Sequence, residues 1–217
     1  LAVAGGIDVP VVLGSRSTDL RGGFGGLEGR ALQAGDTLPI GEASQQIAGA
    51  IAHAADGAPQ VPAWWVEPGF HPPADAPIRY LPAPWAEDTT AAAALDGRAW
   101  TVDPRSDRQG LRCAGDALGI TGPEQLSAAV APGTLQLPPD GRPLVLLADA
   151  QPIGGSPRRG HVLAADLPRL AQLRAGDALR FAAVTPAEAD TVRHRRAARM
   201  ARLEWAIDRA LHEGAHA

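Results

Sequence analysis

Polar side chains and paired glycines come together in one stretch of the sequence, residues 133–157 (GTLQLPPDGRPLVLLADAQPIGGSP). It contains Gln136 on a strand-like run, followed by Asp149, Gln151 and the pair Gly154 and Gly155. Carboxylate and amide side chains bind small polar molecules, and glycines allow a close approach to the backbone. The stretch therefore indicates a polar, glycine-rich site, although these residue types by themselves name no reaction.

Two short strands are predicted to position this site. Residues 134–137 read as the first strand, and the turn at 139–141 (PDG) comes next because proline presets one dihedral angle and glycine accepts positive φ. The apolar run 144–147 is too short for a helix between such breakers, so it predicts a strand buried on both faces. That strand would deliver Asp149 and the residues after it to its end.

A second candidate lies at residues 106–112 (SDRQGLR), which we expect to form a loop. Asp107, Arg108 and Arg112 are clustered there. A guanidinium matches a carboxylate in a bidentate fork, so this set could bind an anionic substrate. The alternative is an ion pair on the surface, and the spacing favours neither.

The composition excludes several classes of function. The chain of 217 residues has 20 lysine and arginine residues together, and every one is arginine. A biotinylated lysine, a Schiff-base lysine or a Walker A lysine would therefore have to belong to a partner chain. The net charge of −4 gives no sign of binding to nucleic acid or to a membrane surface.

A few residues bear on the cellular location of the protein and on metal binding. Cys113 is the single cysteine, so it forms no intrachain disulfide and suits a reducing cytoplasm, where we expect the protein. No stretch of the sequence is apolar for long enough to cross a bilayer. The string HEGAH at 212–216 matches a zinc motif by letter, but Gly214 weakens the helix that the motif needs, so we predict no metal site.

A short repeat and a helix signal organise the chain. The string LQAGDTL at 32–38 recurs as LRAGDAL at 173–179, which predicts two related β modules that use the same Gly-Asp turn. Residues 1–12 read as a strand-rich opening interrupted by two glycines, and residues 44–58 as a linker. Thr185, Pro186 and Glu188 form a capping box, which predicts a helix over 185–217.

Several motifs resemble those of the biotin-dependent carboxyltransferase family. They are LAVAGGIDVP, GSRST, GGLEGR and SDRQG, followed by the stretches at 133–143 and 149–157 in the family's order. The resemblance implies a mainly β fold with two cyclophilin-like β-barrel subdomains, the first one incomplete, and a C-terminal α-helix. It places the remainder of the first subdomain at 1–43, the linker at 44–58, the second subdomain at 59–184 and the helix at 185–217.

The resemblance also implies an activity, the ATP-dependent cleavage of 5-oxoproline to glutamate, with this chain as the C subunit of a 5-oxoprolinase beside subunits A and B. Arg108 or Arg112 would hold the substrate carboxylate, and the other expected substrate-binding residues are Ser15, Arg16, Ser17, Thr18 and Asp149. Gln136 and Gln151 would orient the amide, while the N–H groups of Gly154 and Gly155 would meet developing negative charge. ATP would be bound within the complex, and biotin would not be attached to this chain.

Two alternatives arise from the same resemblance. One is biotin-dependent carboxyl transfer to urea or a related amide, with biotin on another chain; the other is a non-enzymatic regulatory module like the KipI antagonist. The chain departs from the family pattern Q-T-x-G-G-Y-P at Pro152, which stands for threonine, and at Ser156, which stands for tyrosine. Pro152 removes a backbone donor, and Ser156 removes an aromatic wall.

Overall fold

The computed structural model describes residues 2–45, 48, 73, 75–83, 94–119 and 126–214, with side chains up to residue 210. The chain divides into two compact units, Leu1–Trp65 with His212–Ala217, and Val66–Leu211. The predicted linker at 44–58 lies almost wholly outside the described residues, as do the side chains of the HEGAH string.

The second unit is built mainly from short β-strands. Its described strands are β1 (Ile78–Pro82), β2 (Ala99–Val102), β3 (Gly110–Ala114), β4 (Ala128–Ala129), β5 (Thr134–Gln136), β6 (Leu144–Leu146), β7 (Ile153–Gly154), β8 (Arg158–Val162) and β9 (Ala178–Ala183). A short helix, α1 (Leu167–Leu170), lies between β8 and β9, and a long helix, α2 (Pro186–Gly214), comes after β9. The predicted mainly β fold with a C-terminal helix is confirmed.

Seven of these strands close into a barrel in the order β1-β8-β5-β6-β3-β2-β9. Each antiparallel neighbour reverses the strand direction, so a ring with an odd number of strands must contain a parallel pair. That pair is β1 with β9, and the other neighbours are antiparallel. Closure leaves no barrel strand with an unpaired edge. Strands β4 and β7 form a separate two-stranded ribbon.

Alternating apolar side chains fill the barrel. In the described part of the chain, Trp100, Tyr80 and Phe181 are the largest fully buried residues, and Leu135 and Val145 face each other across β5 and β6. The rings of Tyr80 and Phe181 meet edge to face, with centroids 6.2 Å apart. Burying aromatic rings of this size is the main source of stability in a domain of short strands.

Strand β3 corrects the expected loop at 106–112. The loop ends at Gln109, and residues 110–114 pair with β2 and β6. Gly110 is not a turn residue here, because it pairs with Leu146 on β6. A Cβ at this position would stand 2.7 Å from the Leu144 side chain. Glycine allows the two strands to approach closely, and in the sequence alone it is indistinguishable from a breaker.

A buried ion pair fixes one corner of the barrel. Asp166 has no exposed surface, and its Oδ2 accepts hydrogen bonds from the N–H (2.8 Å) and Nε (2.9 Å) of Arg79. Its Oδ1 accepts a third from Nη2 of Arg79 at 2.7 Å. These bonds raise the pKa of Arg79 and tie β1 to the segment that begins α1.

Helix α2 begins as the sequence predicts. The Thr185 N–H donates to the Glu188 carboxylate (2.8 Å), and the Glu188 N–H donates to the Thr185 hydroxyl (3.3 Å), with Pro186 at the first helical position. Arg196 then donates to the carbonyl of Ala164. No helix in the described part of the chain is long and apolar enough to cross a membrane.

The first unit is organised by turns. Its described residues contain isolated bridges, such as Ile7 with Ile40, instead of regular strands, so the strands of the strand-rich opening predicted at 1–12, with its interruption by two glycines, are wrong for residues 2–12. Gly5 and Gly6 both adopt positive φ, which breaks an extended run. Val9 is buried, but most large apolar side chains are exposed: Ile7, Val11, Leu13, Leu20, Phe24, Leu32 and Ile40.

Candidate functional site

One cavity, of about 690 Å³, lies where β2 and β6 end, and we call it the end cavity. Residues of α1 form an apolar wall, including Leu167 and Leu170. The loop between β2 and β3 and the segment after β6 supply its polar side chains, which are Asp103, Ser106, Asp107, Arg108 and Asp149. Apolar walls with a few converging polar groups are typical of small-molecule sites.

Arg108 and Asp149 form the charged rim of the end cavity. Nε of Arg108 lies 3.0 Å from Oδ2 of Asp149, and the N–H of Asp149 donates to the Arg108 carbonyl at 3.1 Å. The side chain of Arg108 is 68% exposed and that of Asp149 is 45% exposed. The pair thus leaves most of the guanidinium surface open to a ligand, while the backbone bond holds its two segments together.

The loop that carries Arg108 is held together by hydrogen bonds between its side chains and its own backbone. Asp107 Oδ1 accepts from the N–H groups of Gln109 (2.9 Å) and Gly110 (3.2 Å). The Ser106 hydroxyl accepts from the Arg112 N–H (3.0 Å) and donates to the Arg112 carbonyl (3.3 Å). This aspartate turn positions Arg108 before any substrate arrives.

Asp103 places a buried carboxylate in the wall of the end cavity. Its two oxygens accept from Nε (2.9 Å) and Nη2 (2.8 Å) of Arg105, and Oδ1 also accepts from the Arg105 N–H. These hydrogen bonds hold the pKa of Asp103 well below its usual range, and the charge of Arg112 lowers it further. The end cavity therefore contains an ionised carboxylate at neutral pH.

A second cavity, of about 540 Å³, lies on the side of the barrel, and we call it the wall cavity. Leu81, Thr134 and His161 line it together with residues of β4 and Arg158. Gln136 is 2% exposed nearby, and its Nε2 has no hydrogen-bond partner among the described residues. A Cβ on Gly154 would stand 3.1 Å from that atom, so Gly154 leaves room for the amide.

The predicted site residues thus fall into separate groups. Arg108 and Asp149 meet at the end cavity, whereas Gln136 and Gly154 meet beside the wall cavity. Segment 149–155, in which Gln151 and Gly155 are exposed, connects the two groups along the chain. Arg112 is exposed on β3 and does not line the end cavity.

The other four predicted substrate-binding residues belong to the first unit: Ser15, Arg16, Ser17 and Thr18. Arg16 donates to the Val9 carbonyl and to Asp8, both at 3.1 Å. The Ser15 hydroxyl accepts from the Ser17 N–H at 3.0 Å. Within this unit, the side chains of Arg16 and Ser15 therefore stabilise the local turn.

Asp103 and His161 line the cavities but were not among the predicted site residues. Asp103 had a recognisable signal, since it comes directly after the strand Ala99–Val102, whose side chains alternate between exposed and buried. His161 lacks metal-ligand spacing, and it lies within β8, which runs from Arg158 to Val162. The residues that lie opposite His161 on the neighbouring strands could not be predicted from the sequence.

Comparison with known proteins identifies the family. The model for the carboxyltransferase domain, subdomains A and B, matches residues 1–183. The chain belongs to this family. It is 38% identical to the C subunit of 5-oxoprolinase from Escherichia coli over 210 residues, which cover 95% of this chain and 63% of the relative. It is also 38% identical to the C subunit of 5-oxoprolinase from Haemophilus influenzae, over 90% of this chain and 59% of the relative.

The chain therefore spans about three fifths of the length of these curated relatives. Among solved structures, the urea amidolyase of K. lactis superimposes with a TM-score of 0.64 at 24% identity. That match covers 88% of this chain and 12% of the other. It confirms the fold of a family member.

Proposed function

We propose that this chain is the C subunit of an ATP-dependent 5-oxoprolinase, which cleaves 5-oxoproline to glutamate together with subunits A and B. The identity of 38% to two proteins that carry the name of this 5-oxoprolinase subunit supports the proposal. ATP would be bound within the complex. Assembly and cytoplasmic location are part of the same proposal.

Arg108 is the group at the end cavity that would hold the carboxylate of 5-oxoproline. A lactam amide is unreactive, so transfer of a phosphoryl group to its oxygen would supply a leaving group and polarise the ring carbon. Such chemistry needs the small substrate held in one orientation, and a carboxylate is its natural handle. Arg108 offers that handle a charge-assisted hydrogen bond at the cavity rim, with Asp149 holding its Nε edge.

The segment after Asp149 would reach the reacting amide. Gln151 and Gly155 are exposed on the stretch that begins at the cavity rim, so we expect their amide groups to be accessible to a substrate held by Arg108. Gln136 and Gly154 lie beside the wall cavity, which separates them from this set. Arg112 would act indirectly, because its positive charge lowers the pKa of Asp103.

The Arg108→Ala variant tests this proposal in a complete complex with subunits A and B. We expect kcat/KM for 5-oxoproline-dependent ATP hydrolysis to fall about 100-fold, because a hydrogen bond to a charged group contributes roughly 1.5–3 kcal/mol. Arg180→Ala is the matched control, since Arg180 is exposed on β9 away from the described cavity linings. Unchanged turnover in Arg108→Ala would remove Arg108 from the site.

A second candidate function rests on the family description, which names a carboxyltransferase. In that case the substrate is urea or a related amide, and biotin is carried by a co-purifying chain because this one has no lysine. Stimulation of ATP consumption by urea, with biotin on a partner, would favour it over 5-oxoproline cleavage. Tight partner binding without stimulation by either compound would favour a KipI-antagonist-like regulatory module.

A further inference from the structure

The wall cavity is built from side chains that lie opposite one another on three neighbouring strands. Leu81 of β1 is paired with His161 of β8, and His161 is paired with Thr134 of β5. Paired residues share a face of the sheet, so these three form a row across the outer wall of the barrel. All three line the cavity of about 540 Å³.

A second pair across the same two strands places a positive charge in the cavity lining and an amide behind that lining. Gln136 is paired with Arg158, after an irregularity in the register between Leu135 and Gln136. Thr134 and Gln136 are two residues apart on β5 and therefore face the same way. Arg158 is the charged side chain among the described lining residues, and its Nη1 donates to the Ala129 carbonyl at 3.4 Å.

Gln136 brings a hydrogen-bond donor that the described protein does not satisfy. Its side chain is 2% exposed, and Nε2 has no partner within the described part of the chain. A buried amide that lacks an acceptor destabilises the fold, so such a group calls for an explanation. A Cβ on Gly154 would contact both Nε2 of Gln136 and the side chain of Val130, and Val130 lines the wall cavity. The amide therefore lies close to that lining.

His161 is held in place without using its ring nitrogens. A Cβ on Gly133 would lie 2.9 Å from Nε2 of His161, so the ring rests against a glycine that also adopts positive φ. Among the described residues, no hydrogen bond to the imidazole is formed. Burial lowers the pKa of His161, so at neutral pH its ring is uncharged and carries one N–H donor.

We propose that the wall cavity binds a small organic monocarboxylate, with its oxygens bonded to Gln136, Arg158 and His161 and its apolar body against Leu81 and Val130. Every polar group in this set can donate, and a carboxylate accepts without donating. Phosphate fits less well, because it has no apolar body to cover the hydrophobic lining. This site is separate from the end cavity and does not depend on the proposed enzymatic function.

Titration of the full chain with cyclohexanecarboxylate tests the proposal, using isothermal calorimetry and amide chemical shifts of residues 130, 133 and 134. We expect saturable binding that weakens at least tenfold in Arg158→Gln, His161→Ala and Gln136→Met. Arg158→Lys keeps the charge and should retain most of the affinity, which a purely structural role for Arg158 does not predict. Cyclohexanecarboxamide and inorganic phosphate should bind at least tenfold more weakly than the carboxylate.

Two control variants separate this cavity from others. Arg180→Ala should bind cyclohexanecarboxylate as the parent chain does, whereas Arg108→Ala should lose only binding at the end cavity and keep the chemical-shift changes at residues 130, 133 and 134. Circular dichroism and the thermal midpoint check that each variant is folded. Absence of binding at millimolar carboxylate, binding lost only in Arg108→Ala, or a preference for phosphate would each overturn the proposal.

Discussion

The two copies of the Ala-Gly-Asp turn allow the two units of this protein to be compared directly. At residues 33–36 the Gln33 N–H donates to Asp36 Oδ2 (2.7 Å), and the Asp36 N–H donates to the Gln33 carbonyl (3.1 Å). At 174–177 the corresponding distances, from Arg174 and Asp177, are 2.7 and 3.0 Å. The glycines also match, with φ of +97° at Gly35 and +90° at Gly176.

The two turns lead into different structures. After Asp177 the chain forms β9, whose Phe181 is fully buried in the barrel. After Asp36 the chain forms a single bridge at Ile40, which is 60% exposed. Identical local hydrogen bonds therefore precede a core strand in one unit and an exposed bridge in the other. The turn depends on hydrogen bonds within the repeated string of seven residues, whereas the strand forms only where neighbouring strands pair with it on both sides.

The largest contrast between the units should come from truncating a residue just beyond each turn. Phe181→Ala removes a fully buried ring, so the free energy of unfolding should fall by about 3–5 kcal/mol. Ile40→Ala removes an exposed side chain and should change it by less than about 0.5 kcal/mol. Urea denaturation followed by tryptophan fluorescence measures both. Equal losses would show that Ile40 lies in a core as dense as that of the barrel.

The next contrast concerns the ion pairs. Asp166→Ala leaves Arg79 without the carboxylate that binds it three times, so we expect a loss of about 3 kcal/mol, at the low end for a buried pair because Arg79 is 28% exposed. Asp36→Ala breaks a pair with Arg30 in which both side chains are partly exposed, and it should lower the thermal midpoint much less. A midpoint that falls as far in Asp36→Ala would contradict the comparison.

The turn glycines should respond alike. Gly35→Ala and Gly176→Ala place a Cβ where nothing lies within 4 Å, so the penalty is the positive φ alone, about 1 kcal/mol in each unit. Amide hydrogen exchange at residues 33–36 and 174–177 reports each turn separately. If only Gly35→Ala opens its turn, then the barrel, and not the local hydrogen bonds alone, holds the turn at 174–177.

The smallest effect is expected from pH. Hydrogen bonds from Arg30 and from the Gln33 N–H lower the pKa of Asp36 to about 2. A depressed pKa in the folded state contributes stability above the unfolded value of about 3.9, and this contribution is lost as the pH falls through 2. The difference in stability between the parent chain and Asp36→Asn should therefore shrink between pH 4 and pH 2. Thermal melts at both values check this, and a constant difference would contradict the assignment.

Several elements were predictable from local sequence. The capping box at Thr185, the turn at 139–141, the buried strand β6 and the motifs of the family all depend on residues close together in the chain. Arg108 and Asp149 line one cavity, and each lies in a segment whose residue types indicated a site, so the two residues were predictable as candidates. Their contact required the pairing of β3 with β6.

By itself, the sequence determined the family, the helix cap, the turns and the candidate residues, since each of these depends on side chains within a few positions. The tertiary structure decided which candidates meet. The tertiary fold places Gly154 of the β4–β7 ribbon beside Gln136 of β5, apart from the cavity that Arg108 lines. Gly110, in the stretch expected to be a loop, became part of β3. Pairing between distant strands is set by a shared core, and no short window of sequence contains that core.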